Sequence, residues 1–197
     1  DTFALGTERD SARRNDDIVI LKVSGDVAQE TRRHRVSYDN AGGPAEKNRG
    51  LEAICKLDST TVLVGSEKVV ERDGARLAPI WRLDLATGEQ SQGWLTLSSD
   101  KGKLAGLSCA ADGGGFQAYG VERHFGIMRI ISFQIPLIGL PTTIINPTVR
   151  TDLASFLEGS PNLEGITTGP NGMIWLVVDN AYGRIMGPNE IIRLPTL

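Results

Sequence analysis

The 197-residue sequence lacks long apolar runs, long amphipathic segments and blocks of basic residues. No apolar run approaches the ~20 residues that a membrane-spanning helix needs, so no membrane span is expected. The best candidate helix, residues 153–157, is short. The net charge is −3 and Lys and Arg are dispersed, which indicates neither nucleic acid nor an anionic membrane as a partner.

Common catalytic signatures are also missing. The sequence has no Gly-x-Ser-x-Gly elbow, no phosphate-binding loop and no His-Glu-x-x-His motif. The two histidines, His34 and His124, cannot form a usual zinc site by themselves. Cys55 and Cys109 lie in equivalent predicted strands of neighbouring sequence repeats, but their positions differ by one residue, so their side chains are expected to point to different faces. The two strands are also expected to lie too far apart for an easy bridge. We therefore expect buried free thiols rather than a disulfide.

A short pattern recurs along the chain, in which an apolar run leads into Gly-x-Glu-Arg or Gly-x-Glu-Lys. The fourth copy is looser, with Asp in place of Glu and no glycine. The acidic positions 8, 67, 122 and 179 are separated by 59, 55 and 57 residues. A fixed period of this size predicts a repeat architecture. The copies occupy residues 3–9, 62–68, 117–123 and 174–180.

Each repeat carries further strand patterns around this motif. An apolar lead-in and a turn precede it in the last three repeats, a run rich in Val and Ile follows it in all four, and a more polar run ends the first three. Four antiparallel strands per repeat predict an all-β propeller with four-stranded blades. We label the strands A to D from the axis outward. Strand counting predicts one domain or segment over residues 1–197, with units at about 1–40, 48–100, 103–153 and 162–197.

The two terminal units are incomplete, because the first has no strand A and the last no strand D. This favours a segment of a larger ring, or a second chain or subunit that completes the propeller. The apolar connection 136–147 is expected to cover one face or to form a contact surface.

Directly opposed residues of an antiparallel hairpin have position numbers with a constant sum. This rule, with the turn at the centre of each hairpin, predicts three opposed pairs: Glu52 with Glu67, Glu164 with Asp179, and Ala105 with Glu122. Opposed Cβ atoms in an antiparallel pair lie about 4.5–5.5 Å apart. Two carboxylates that close need compensation by a hard cation such as Ca²⁺, by a raised pKa, or by a flanking Arg or Lys. A structural latch between blades, a cation site and a catalytic acid–base pair remain open alternatives.

Three segments carry a family resemblance. They read Asn-Arg-Gly-Leu-Glu-Ala-Ile at 48–54, Gly-Val-Glu-Arg-His-Phe-Gly at 120–126, and Asn-Leu-Glu-Gly-Ile at 162–166 followed by Trp-Leu-Val-Val-Asp-Asn at 175–180. In this order they resemble the phytase-like (esterase-like) propeller family. The resemblance implies an exported bacterial propeller, periplasmic or secreted, with phosphoesterase or esterase activity.

Two functional hypotheses follow. The first is a metal-assisted hydrolase of an anionic or ester substrate, acting at the channel mouth. The second is a non-catalytic binding or assembly module whose incomplete blades another subunit completes. In the first hypothesis Ca²⁺ is held by Glu52, Glu164 and Asp179. Its substrate contacts come from Asn48, Arg49, Arg123, Asn162 and Asn180, and its candidate general bases are Glu67, Glu122 and His124.

Overall fold

The computed structural model of the protein describes residues 1–8, 12–47, 49–157, 161–180 and 188–195. Within these ranges the chain forms fifteen strands in four antiparallel sheets, together with two short 3-10 turns. None of the helical segments in this part of the chain is long and apolar enough to cross a membrane.

The sheets follow one another along the sequence and are called blades 1 to 4. Blade 1 has the strand order β1-β2-β3. In blade 2 the order is β4-β5-β7, with β6 and β8 both paired to β7. The strands of these two blades are β1 Thr2–Gly6, β2 Asn15–Ser24, β3 Val27–Ser37, β4 Leu51–Lys56, β5 Thr61–Ser66, β6 Val70–Arg72, β7 Ala75–Asp84 and β8 Gln90–Thr96.

Blade 3 is a four-stranded meander and blade 4 contains three described strands. Short turns join the first three strands of blade 3 and the first two strands of blade 4, as is usual for antiparallel neighbours. Their strands are β9 Lys103–Asp112, β10 Gly115–His124, β11 Ile127–Pro136, β12 Thr148–Asp152, β13 Leu163–Thr168, β14 Ile174–Val178 and β15 Glu190–Leu194.

The predicted all-β propeller architecture is confirmed, and within the described residues the first and last blades have three strands each. Among the described residues, β6 is the one strand that the sequence patterns did not predict. It forms a tight hairpin with the start of β7 around Asp73 and Gly74, both of which have positive φ. Asp-Gly is a strong signal for such a turn, so this hairpin was visible in the sequence.

Three apolar clusters lie between neighbouring blades and hold the sheets face to face. Between blades 2 and 3, Leu63 and Ile80 pack with Leu104 and Ile131. A second cluster, which includes Trp81, joins blades 1 and 2, and a third joins blades 3 and 4. Fully burying each large apolar side chain contributes roughly 1.5–3 kcal/mol, so these clusters fix the blade spacing.

The connection 137–147 returns to the outer strand of blade 2. The Ile145 N–H donates to the Trp94 carbonyl oxygen at 2.8 Å, and the Thr96 N–H donates to the Ile145 carbonyl oxygen at 2.9 Å. This backbone pairing protects the edge of β8. Leu137 and Ile138 remain exposed beside it. The connection thus pairs with a strand edge, a role that was not expected, and a contact surface at its exposed residues stays a prediction.

The prediction of free thiols is wrong, because Cys55 and Cys109 form a disulfide with a Cα–Cα distance of 5.6 Å. The expected register was shifted by one residue. Cys55 lies opposite Leu63, and Cys109 lies opposite Ala118, the counterpart of Leu63 in the repeat. The two thiols thus occupy equivalent positions, and the inner strands β4 and β9 lie close enough to be bridged.

Candidate functional site

The acidic residues are positioned by β-bulges at the start of the inner strands. Leu51 pairs with Ser66 while Ala53 pairs with Gly65, so Glu52 is the extra residue of its bulge. Glu164 occupies the same position in blade 4. A bulge redirects one side chain and breaks the regular alternation of the strand. The side chains of both glutamates therefore depart from the alternation that their neighbours in the strand follow.

These bulges make the predicted face-to-face pairs wrong. The Glu67 N–H donates to the Gly50 carbonyl oxygen at 3.1 Å, and the Asp179 N–H donates to the Asn162 carbonyl oxygen at 3.0 Å. Glu122 pairs with Leu104, so Ala105 becomes the bulge residue of blade 3. The three acidic motif residues therefore face Gly50, Leu104 and Asn162 instead of the predicted partners.

Arg123 links the acidic residues of blades 2 and 4. Its Nη2 atom donates to Glu164 Oε1 at 2.7 Å and to Glu164 Oε2 at 2.8 Å. The same atom lies 3.1 Å from Glu67 Oε1 and 4.0 Å from Glu52 Oε2. The guanidinium group thus supplies the positive charge that close carboxylates require.

Glu67 is the most deeply buried member of this cluster, with 3% of the residue exposed. Lys103 donates to its Oε2 atom at 3.1 Å. Its Oε1 atom accepts no hydrogen bond of good geometry, although the Arg123 guanidinium is close, and Arg123 Nε also has no hydrogen-bond partner. Buried polar atoms without a hydrogen bond are uncommon in folded proteins, so this part of the cluster is not fully satisfied internally.

An open cavity of about 590 Å³ lies over the cluster, where strands of all four blades approach one another. Its polar lining consists of carboxyl groups and one guanidinium, and its apolar lining is aliphatic. We call this space the central cavity. It is lined by Ala4, Leu5, Gly6, Glu8, Leu51, Glu52, Ile54, Arg123, Glu164 and Asp179.

Burial and like charge favour the protonated form of Glu52. Burial of the carboxyl group, with the nearby carboxylates of Glu67, Glu8 and Glu164, raises the pKa of Glu52 to about 9. Burial also raises the pKa of Glu164, against the opposing effect of Arg123. A carboxyl group with a pKa this high is protonated at pH 7, which is the state that a general acid needs.

Glu122 lies outside the central cavity and is fully buried elsewhere. Its carboxylate accepts hydrogen bonds from the backbone N–H groups of Ser98 at 2.7 Å and Ser99 at 2.9 Å. It also accepts bonds from both serine hydroxyl groups. The predicted convergence of Glu122 with the other acidic residues is thus wrong, and its contacts tie β10 to the turn between blades 2 and 3.

The remaining predicted residues divide between the cavity rim and other surfaces. Asn162 donates from Nδ2 to Glu164, so it orients a cavity residue. The Asn180 N–H donates to Asn189 Oδ1 at 2.7 Å. Arg49 pairs with Glu46 at 2.8 Å and is not among the cavity-lining residues. Asn48 lies outside the described residues.

His124 is likewise absent from the lining of the central cavity. Its Nδ1 atom accepts a hydrogen bond from the Phe125 N–H at 2.7 Å. Partial burial, together with the positive charges of Lys103 and Lys101, lowers the pKa of His124. Among the described contacts, His124 therefore meets neither the carboxyl cluster nor the cavity. The geometry does not support this residue as a general base.

The acidic residues do not form a set of metal ligands in the described part of the chain. No group of three or more His, Cys, Asp or Glu side chains is arranged to hold an ion there. The Arg123 guanidinium lies against Glu164 and Glu67, the region where a cation bridging them would have to bind. The geometry of the described residues therefore lends no support to a Ca²⁺ site, and calcium binding by Glu52, Glu164 and Asp179 stays a prediction.

Two residues of the cavity cluster were not named as candidate site residues from the sequence. Glu8 lines the cavity, and its Oε1 atom accepts from the Gly50 N–H at 3.2 Å. Its place in the repeat, equivalent to Glu67, was a sufficient signal. Lys103 pairs with buried Glu67 but belongs to no repeated motif, so only the packing of blade 3 against blade 2 reveals it.

Comparison with known proteins gives one match. The sequence model of the family described as "Phytase-like: Esterase-like activity of phytase" matches residues 1–182. A search of the curated proteins found no match.

Proposed function

Because the chain belongs to the phytase-like family, which is described by the esterase-like activity of phytase, we propose that it is a hydrolase that cleaves ester bonds in the central cavity. The observation that carries this proposal is the position of the Glu52 carboxyl group in the cavity lining, 4.0 Å from Arg123 Nη2 and beside other acidic residues, where burial raises its pKa to about 9. A protonated carboxyl group and a carboxylate in one cavity are the two partners that general acid–base catalysis requires.

In the proposed reaction Asp179 acts as general base and Glu52 as general acid. Asp179 takes a proton from a water molecule, whose oxygen forms a bond to the carbonyl carbon or the phosphorus atom. The bond from that atom to the alcohol oxygen breaks, and Glu52 gives its proton to the departing oxygen. A proton from solvent then restores Glu52, and Asp179 releases its own to solvent.

Arg123 stabilises the negative charge that develops on the ester oxygen during attack. Its guanidinium group is held by Glu164 and Glu67 before substrate arrives, so little reorganisation is needed during the reaction. Prearranged charge of this kind is often the largest contribution to catalysis by hydrolases. Glu164 and Asn162 act as positioning residues in this scheme.

Chromogenic esters test the proposal. Wild-type protein is expected to hydrolyse at least one of a p-nitrophenyl carboxylic ester and a p-nitrophenyl phosphoester. Glu52→Gln should lower kcat by about 100-fold, the lower limit of typical general acid contributions. Glu71→Gln, an exposed residue outside the cavity, is the matched control. Equal turnover by Glu52→Gln and Glu71→Gln would remove Glu52 from the mechanism.

A second candidate is the non-catalytic binding or assembly module. It is supported by the exposed apolar side chains of Leu137 and Ile138, whereas the ion pairs of Arg123 with Glu67 and Glu164 fit a purely structural latch between blades. Absence of ester hydrolysis by wild-type protein, combined with loss of stability in Arg123 variants, would favour this reading.

We further infer an oxidising location, periplasmic or extracellular. The support is the disulfide between Cys55 and Cys109, because disulfides persist in exported proteins and are rare in reducing compartments. Quantitative thiol labelling of the protein denatured without reductant tests the bridge itself. Labelling of two thiols per chain would contradict the inference.

A further inference from the structure

The inner edge of blade 1 is open in the part of the chain that the structure describes. β1 is the innermost strand of this blade and pairs with β2 alone. In the other three blades, the strand that leads into the acidic motif pairs on its inner side with a further strand, namely β4, β9 or β13. The described residues provide no such inner strand for blade 1.

The hydrogen bonds of blade 1 show which backbone groups face this edge. Asp1 and Thr7, just outside the two ends of β1, make backbone hydrogen bonds to β2. Because bonding alternates along an antiparallel pair, the odd-numbered residues of β1 bond to β2. The N–H and C=O groups of Thr2, Ala4 and Gly6 therefore point to the open edge, where they can pair with an added strand.

Two cavities lie along the open edge and adjoin each other. The central cavity borders β1 at Gly6. A second cavity, of about 360 Å³, borders it at Thr2. Ala4 on β1 and Ile54 on β4 line both cavities. The edge of β1 thus faces open space along its length, with β4 as the opposite wall.

Blades 2 and 4 show how an inner strand pairs at this place. The residue two positions before the acidic motif residue is Gly6 in blade 1, and its equivalents in blades 2 and 4 each lie opposite a small residue. The equivalents of Leu5 each lie opposite an isoleucine. These pairs are Ala53 with Gly65, Gly165 with Val177, Ile54 with Val64, and Ile166 with Leu176.

The same register specifies the segment that would fit β1. Both inner strands read Leu-Glu, then a small residue, then Ile. An added strand of this pattern would place its small residue opposite Gly6 and its isoleucine opposite Leu5. Leu5 is 49% exposed, and a cross-strand apolar pair would cover part of it.

We propose that the open edge of β1 binds an extended segment of a partner protein, which joins blade 1 as an antiparallel inner strand. The segment carries Leu, any residue, Gly or Ala, and then Ile. A second copy of this chain is a poorer partner, because its segments that match this pattern are already paired as β4 and β13. The inference extends the second candidate function and does not depend on ester hydrolysis.

Fluorescence anisotropy with a labelled, end-capped peptide tests the pairing. The probe is Leu-Gln-Gly-Ile-Thr-Thr, the sequence of β13 with Gln in place of its glutamate. In the proposed register the N–H groups of its Gly and its first Thr donate to β1, whereas those of Ile and the second Thr point away. N-methylation of the first pair should raise the Kd about tenfold, because two hydrogen bonds are lost.

N-methylation of Ile and the second Thr is the matched control and should leave the Kd unchanged. Equal affinities of the two methylated peptides would overturn the backbone pairing. Failure of the unmodified peptide to bind saturably would overturn the proposal as a whole.

Amide hydrogen exchange locates the bound peptide. The peptide should slow exchange at Ala4 and Gly6, whose N–H groups face the open edge, and leave exchange at Phe3 and Leu5 unchanged. Protection confined to a different strand edge would refute the assignment to β1.

Ala4→Pro provides a second test at the same edge. It removes one edge donor but no bond to β2, and proline is tolerated where the N–H of an edge strand faces solvent. This variant should weaken peptide binding about tenfold, whereas Glu71→Gln should leave it unchanged. Unchanged binding by Ala4→Pro would contradict the proposal.

Sedimentation of the protein alone tests a second copy as the occupant. Monomeric protein that binds the peptide would support a partner protein. A concentration-dependent dimer that the peptide dissociates would identify a second copy as the occupant and overturn the assignment to a different protein. None of these measurements uses an ester, so this inference and the hydrolase proposal can fail independently.

Discussion

Glu52 illustrates how one residue's environment determines its chemistry. The unfolded chain loses the Glu52 proton near pH 4.5, whereas in the folded protein the pKa of this carboxyl group is raised to about 9. Between these values the folded state binds one more proton than the unfolded state. The contribution of Glu52 to the free energy of unfolding therefore falls as pH rises through this window.

Replacing Glu52 should remove this pH dependence. We expect Glu52→Gln to gain stability relative to wild type between pH 5 and 9, by at most about 1.4 kcal/mol per pH unit. Urea denaturation at several pH values measures the difference, with Glu71→Gln as the control that parallels wild type. Parallel curves for wild type and Glu52→Gln would show that the folded protein does not hold this proton.

Arg123 is the residue whose loss should most disturb the cavity. Arg123→Gln leaves Glu67 buried with only Lys103 as a cationic partner and releases Glu164. Breaking a buried ion pair by removing one partner costs about 3–5 kcal/mol, and the partial exposure of Arg123 places the expected loss near the lower value. Urea denaturation measures it, with the exposed Arg150→Gln as control. Equal loss in both variants would contradict a special role for Arg123.

At the scale of the strand, the periodicity of the sequence predicted which segments form strands but not where β-bulges interrupt them. Alternating apolar runs bounded by turns located all but one of the described strands. The bulges at Glu52, Ala105 and Glu164 shift each hairpin, and no residue type signals a bulge at these positions.

In blade 3 the buried acidic residue of the motif, Glu122, stabilises the preceding turn instead of lining the central cavity. Glu122 accepts four hydrogen bonds from Ser98 and Ser99, and Gly102 lies so close that a Cβ there would come within 2.2 Å of Glu122 Oε1. The three blades with Glu at this motif position thus use it differently. Equivalent sequence positions do not share a role when the adjoining turn differs.

Glu122→Gln should therefore lower stability without lowering turnover. An amide supplies two donors where the Ser98 and Ser99 donors require acceptors, and the loss is expected to be roughly 2 kcal/mol. Thermal unfolding measures it, and a double-mutant cycle with Ser99→Ala should show coupling. A loss of kcat comparable to that of Glu52→Gln, in protein that remains folded, would instead make Glu122 part of the mechanism.

The whole molecule is held by contacts between successive blades. Small residues permit close approach near the axis: a Cβ on Gly106 would come within 3.2 Å of the Gly165 backbone. The repeat period predicted this succession of blades, because it fixes which strands are equivalent. It could not locate the bulges, which shift the register within each hairpin and between equivalent inner strands, and for this reason both the carboxyl pairs and the cysteine pairing were misjudged.

The disulfide between Cys55 and Cys109 should stabilise the assembly of blades 2 and 3. It closes a loop with a sequence separation of 54, and a loop of this size corresponds to about 4 kcal/mol of denatured-state entropy. We expect reductant to lower the urea midpoint of wild-type protein to that of the double variant Cys55→Ser with Cys109→Ser, and to leave the variant unchanged. Because Cys55 is buried, reduction should require prior exposure to denaturant. A wild-type midpoint that does not respond to reductant after full thiol labelling would show that the blade contacts alone hold blades 2 and 3 together.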